Sequence, residues 1–157
     1  MATQTKINYL KLVLWIIFVE AVGILSSQLS GNIKTVYNSL KLPIFSPPGV
    51  VFGIVWPILY LFIGISGYII WQTRKKYPDT LWLFLSQLFL NFIWTIVFFS
   101  GSLLTTGFII ILIMDIIVVI LITKVSPVNQ TAGWLLVPYL IWLLFATYLA
   151  GGFAVLN

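Results

Sequence analysis

Five runs of about 20 apolar residues, parted by polar breaks, rule out a chain that folds in water, because no soluble surface could carry them. They fall near residues 9–29, 49–72, 80–100, 105–124 and 131–153. A helix rising about 1.5 Å per residue needs roughly 20 residues to cross a hydrocarbon core about 30 Å thick, so each run is long enough to span. Helices also satisfy their own backbone hydrogen bonds where no water is present. Of 157 residues, 61% are hydrophobic and 7% charged, which leaves no room for a second, soluble domain. The expected fold class is therefore all-α: an integral membrane bundle of five transmembrane helices, one domain over 1–157, with residues 30–48 as its single long loop and lid.

The first run follows Lys6 and Lys11 as a signal peptide would, but Glu20 interrupts it and no clear small-x-small cleavage site follows. It is read as a membrane helix. The connections "RKKYPD", "GSLL" and "VSPVNQ" are short, so helices 2 and 3, 3 and 4, and 4 and 5 are expected to be antiparallel neighbours. Lys6, Lys11, Arg74, Lys75, Lys76 and Lys124 fall at one end of this topology, and Lys34 and Lys41 at the other. The positive-inside rule then expects the N-terminus inside, with the first loop and C-terminus outside, in a multi-pass cell-membrane protein.

The net charge of +5 does not mark a nucleic-acid binder, since the cations are scattered as helix flanks and form no stripe. Histidine and cysteine are absent, which removes the commonest metal ligands and the usual proximal haem ligand. No metal site and no obligatory cofactor are expected. Helix 5 has no lysine for a retinal Schiff base, and neither a P-loop nor a Ser/His/Asp set is present.

The polar and aromatic residues inside the apolar runs carry what chemistry there is. Gln87, Asn91, Trp94 and Phe98 recur at spacings of 4, 3 and 4, which places them on one face of helix 3. Amides on a spanning helix should look into the bundle, either bonding neighbouring helices or forming a ligand-facing wall. Tyr139, Trp142, Ala146 and Leu149 make a similar stripe on helix 5, where Pro138 should open the hydrogen-bond ladder. Trp56 and Tyr60 lie one turn apart on helix 2 around Pro57, and Gly49 and Gly53 suggest a close helix contact. Glu20 and Asp115 fall near the midplane with no basic residue in any run to pair with them, so each is a structural hydrogen-bonding group or a site residue.

These segments, "LPIFSPPGVVFGIVWPILY", "QLFLNFIWTIVFF", Asp115 in the fourth run and "LLVPYLIWLLFATYL", resemble in order those of the TspO/MBR family of tryptophan-rich sensory and translocator proteins. The resemblance covers almost the whole chain. It implies a five-helix bundle, often a homodimer, whose pocket beneath the first loop binds tetrapyrroles such as protoporphyrin IX, with haem as a further candidate, and benzodiazepine-site ligands. Matching by motif places Tyr37, Trp56, Tyr60, Asn91, Trp94, Trp142 and Ala146 in that pocket, with Gln87, Asp115 and Phe145 as further candidates. A porphyrin sensor or regulator is the reading that follows. Light-dependent porphyrin degradation involving Trp56 and Trp142, and transport of porphyrin or lipid, are the alternatives. The chain departs from the family where a tryptophan usually precedes the paired prolines, since Phe45 and Ser46 stand there. It also lacks a basic residue after Tyr148, which removes the C-terminal pattern linked to cholesterol.

Overall fold

A computed structural model describes residues 6–157. The described residues form helices and no strand: α1 (Tyr9–Leu29), α2 (Ile33–Ser39), α3 (Gly49–Thr73), α4 (Pro78–Thr95), α5 (Leu104–Val125) and α6 (Gln130–Leu156). A π-helical turn, Ile96–Ser100, continues α4. All of these except α2 are long and apolar enough to cross a bilayer, so the protein is an integral, multi-pass, five-span bundle as expected.

Local chemistry sets the helix starts. The Asn8, Asn32 and Asn129 side chains accept hydrogen bonds from the backbone N–H of Lys11, Thr35 and Ala132 at 3.0, 3.1 and 3.1 Å, capping α1, α2 and α6. Pro78 opens α4 with Asp79 in its first turn, where the missing N–H costs nothing and the carboxylate meets the positive helix end.

The helices form a ring in the order α1, α3, α6, α5, α4 and back to α1. This corrects one expectation. The short α3–α4 turn makes those helices antiparallel, and they touch where Gly67 meets Phe84 and Tyr60 meets Asn91, but α3 packs mainly on α1 and α6, and α1 also reaches α4. Close approach depends on glycines that differ from the expected pair. A Cβ on Gly64 would lie 2.8 Å from the Ile16 Cα, one on Gly67 would lie 2.5 Å from the Phe84 ring, and one on Gly23 would overlap the Tyr60 ring. Gly53, by contrast, has open space around it, and Gly49 has only the Tyr37 ring at 4.0 Å. Those two glycines leave room rather than seal a contact.

The loop expected over residues 30–48 also contains α2. The rest of that lid is tied down by tyrosine and amide groups. The Tyr37 hydroxyl donates to the Pro47 carbonyl at 2.7 Å and the Tyr148 hydroxyl to the Ile44 carbonyl at 2.8 Å. The Lys41 N–H donates to the Asn157 side chain at 2.8 Å, joining the lid to the end of α6.

Candidate functional site

Beneath α2, the lid halves of the spans diverge around a cavity of about 740 Å³. That volume lies within the roughly 300–1,000 Å³ typical of small-molecule sites. Its walls are Glu20, Gly23, Ile24, Ser27 and Gln28 from α1; Gly49, Phe52, Gly53, Trp56 and Tyr60 from α3; Trp94, Phe98 and Phe99 from α4 and its π-turn; and Ala146, Leu149, Ala150 and Phe153 from α6. The lid contributes Ile33, Lys34, Tyr37 and Asn38.

Each wall has a local cause. On α3, positions 49, 52, 53, 56 and 60 follow helical spacing, so glycines and aromatics share one stripe. Pro57 cannot return a hydrogen bond to the Gly53 carbonyl, which leaves that acceptor free beside the cavity. The Trp56 and Tyr60 rings stack at 5.4 Å. On α4, the π-turn widens the helix where Phe98 and Phe99 meet the lumen, and such turns recur at functional sites. Trp94 packs on Phe98 at 5.5 Å, and its buried indole Nε1 has no acceptor among the described residues. At the mouth, Tyr37 packs edge-on against Phe52 at 5.4 Å and Phe153 at 5.7 Å. Burial pushes the Tyr37 phenol above its ordinary pKa, so it remains a neutral donor to the Pro47 carbonyl.

Five of the ten residues singled out from sequence, Tyr37, Trp56, Tyr60, Trp94 and Ala146, line this cavity. The other five do not. Gln87 and Asn91 lie one to two turns deeper, under the cavity floor, in a buried network centred on the Tyr139 hydroxyl. That hydroxyl accepts from Asn91 Nδ2 at 3.1 Å and donates to Gln87 Oε1 at 2.9 Å. Asn91 Oδ1 in turn accepts from the Tyr60 hydroxyl at 2.7 Å, so Asn91 orients a wall residue from behind. Trp142 stands behind Phe52, at 5.7 Å, and Phe145 packs on Trp142 and Tyr148. Asp115 belongs to the α5–α6 contact, where its Oδ2 accepts from the Thr147 hydroxyl at 2.7 Å.

Helical spacing identifies which face looks inward, but the cavity occupies only the lid half of the bundle, so depth separates Trp94 from Gln87. Phe52 and Phe99 were missed. Phe52 lies one turn before Trp56 on the same stripe and was within reach of the spacing; Phe99 depends on the π-turn. Glu20 and Lys34 are the charged residues of the lining, the first midway along α1 and the second at the mouth. The set offers aromatic faces, an indole N–H, a carboxyl group and a lysine ammonium, and among the described residues no three His, Cys, Asp or Glu side chains cluster to hold a metal.

Comparison with known proteins places this architecture. The chain is 37% identical over 155 residues to the tryptophan-rich protein TspO of Archaeoglobus fulgidus, covering 96% of this chain and 99% of that one. It is 31% identical over 111 residues to the tryptophan-rich sensory protein of Cereibacter sphaeroides, covering 71% and 70% of the two chains. With the translocator protein of Homo sapiens it shares 31% over 117 residues, covering 72% and 69%. The TspO/MBR family profile matches residues 15–156, from within α1 to the end of α6 with the lid included, and the chain belongs to the TspO/MBR family.

Proposed function

We propose that this protein is a membrane sensor or translocator that binds a tetrapyrrole, protoporphyrin IX being the first candidate, or a benzodiazepine-site-type ligand in the cavity under the lid. The observation that carries this reading is the roughly 740 Å³ cavity whose walls present Trp56, Tyr60 and Trp94. A flat aromatic macrocycle stacks on such faces, and its carboxylates suit Lys34 at the mouth. The unpartnered Trp94 Nε1 is available as a donor. Sensory and translocator are words carried by the names of two relatives, and the family supports extending them to this chain. By the positive-inside rule the lid opens on the outer side.

The test is titration of the purified protein with protoporphyrin IX, read by quenching of tryptophan fluorescence. An aromatic contact is worth about 0.5–1.5 kcal/mol, so Trp56→Leu and Trp94→Leu should each weaken binding by roughly 2- to 12-fold. Trp134→Leu, which removes an exposed indole far from the cavity, should not. Saturable binding that neither Trp56→Leu nor Trp94→Leu alters would overturn the site.

The stacked Trp56–Tyr60 pair favours a second reading, in which light and dioxygen oxidise the bound porphyrin with Trp56 as the redox partner. Loss of porphyrin absorbance under illumination should then exceed that of free porphyrin and fall in Trp56→Phe. Equal loss in free solution would remove it.

A further inference from the structure

The end of the bundle opposite the lid holds a second constellation that the cavity does not use. Trp71, near the end of α3, carries two cations on its ring. The Arg74 guanidinium carbon lies 3.8 Å from the ring centroid, and Lys11 Nζ, from α1, lies 5.1 Å from it. Arg74 Nη1 also donates to the Trp71 carbonyl at 2.7 Å, which fixes the guanidinium while leaving its other N–H groups free of that bond. Lys75 and Lys76 follow directly. None of these four cations has an acidic partner: among the described residues the ion pair is Lys124 with Asp79, at 2.6 Å.

Lys11 is followed on its own helix face by Leu14, Trp15 and Phe18, at spacings of three, four and seven residues. With Leu85 of α4, those three side chains line an apolar groove of about 350 Å³. Leu14 and Phe18 are about half exposed, so the groove opens to the surrounding lipid. From Lys11 to Phe18 the helix rises about 10 Å, and the cations therefore stand at the head of a groove that runs into the bilayer.

We propose that this is a binding site for an anionic glycerophospholipid of the adjoining leaflet, its phosphate against Arg74 and Lys11 and one acyl chain along Leu14, Phe18 and Leu85. The guanidinium fork matches phosphate oxygens, and cations left without a counter-anion repel one another until one arrives. A free phosphate would use the cations and leave the groove empty; a neutral lipid would do the reverse. The two features together select a lipid with a negative headgroup.

Native mass spectrometry of the full chain, titrated with phosphatidylglycerol and phosphatidylcholine, tests this. Juxtamembrane cations contribute about 1 kcal/mol each, so phosphatidylglycerol should bind roughly tenfold or more tightly than phosphatidylcholine, and Lys11→Gln with Arg74→Gln should abolish the preference. Phe18→Ala should weaken both lipids severalfold and leave their ratio unchanged. Arg74→Lys, which keeps the charge and the fold but loses the fork, should give an intermediate preference. Lys75→Gln with Lys76→Gln should change it by no more than about twofold. No preference in the wild type would overturn the proposal. So would an equal loss in the Lys75/Lys76 pair, which would mean diffuse charge, or competition by glycerol phosphate as effective as the lipid, which would mean a soluble anion site.

Discussion

Gly23→Ala and Gly53→Ala make the same chemical change on two helices that border the cavity, and the structure assigns them opposite effects. A methyl group on Gly23 overlaps the Tyr60 ring, with ring atoms Cδ2 and Cζ only 2.7 and 2.8 Å away. Tyr60 has little freedom to move: its hydroxyl donates to Asn91 at 2.7 Å and its ring stacks on Trp56 at 5.4 Å. Overpacking of this kind costs about 1–3 kcal/mol, and a lost hydrogen bond within a membrane adds about 0.6. Replacing glycine by alanine in a helix returns about 0.8–1.0 kcal/mol. The net for Gly23→Ala is a destabilisation of about 1–3 kcal/mol. Gly53 has nothing within 4 Å of the added methyl, so only the gain applies, and Gly53→Ala should stabilise by up to about 1 kcal/mol. Reversible unfolding in mixed micelles, followed by helical circular dichroism, should thus separate the two variants by about 2–4 kcal/mol. Equal midpoints would refute the close α1–α3 approach at Tyr60 from which these values are built.

Three further outcomes follow from the buried polar groups and the Lys124–Asp79 ion pair. Gln87→Leu removes an unpartnered Nε2 but also the acceptor of the Tyr139 hydroxyl, so it should cost less than about 1 kcal/mol, whereas Asn91→Leu strips both Tyr60 and Tyr139 of a partner and should cost about 1–2 kcal/mol in the same unfolding assay. Thr147→Val removes the donor to Asp115, whose other oxygen is unpartnered, and should destabilise by about 1–2 kcal/mol; Thr147→Ser should restore most of this. Lys124→Gln breaks an ion pair whose side chains are 50% and 53% exposed, so the midpoint should move by less than about 1 kcal/mol and become less sensitive to added salt.

The five spans were legible because a run of about 20 apolar residues has few other physical uses. Inward faces were legible too: the 4-3-4 spacing of Gln87, Asn91, Trp94 and Phe98 leaves three of them buried at 2% exposure or less and Trp94 at 8%. Three things were hidden. Depth along a face has no periodic signature, so Gln87 and Trp94 looked equivalent although one belongs to the floor network and the other to the wall. The ring order depends on the shape of facing surfaces, and a four-residue turn between α3 and α4 gives only their antiparallel sense. The π-turn at Ile96–Ser100 has no compositional mark. The lid helix did leave a signal, since Asn32 precedes Thr35 at capping distance, but its seven residues are too few to show a period.

The ring order also bears on how the cavity comes into being during synthesis. α3 leaves the ribosome early, with α1 already available, yet its other main neighbour is α6, which is made much later. The cavity wall from Ala146 to Phe153 and the Asn157 clasp on Lys41 arrive together with α6. Without α6 the cavity therefore lacks one of its walls. The cavity in this fold is walled in only where α6 sits between α3 and α5.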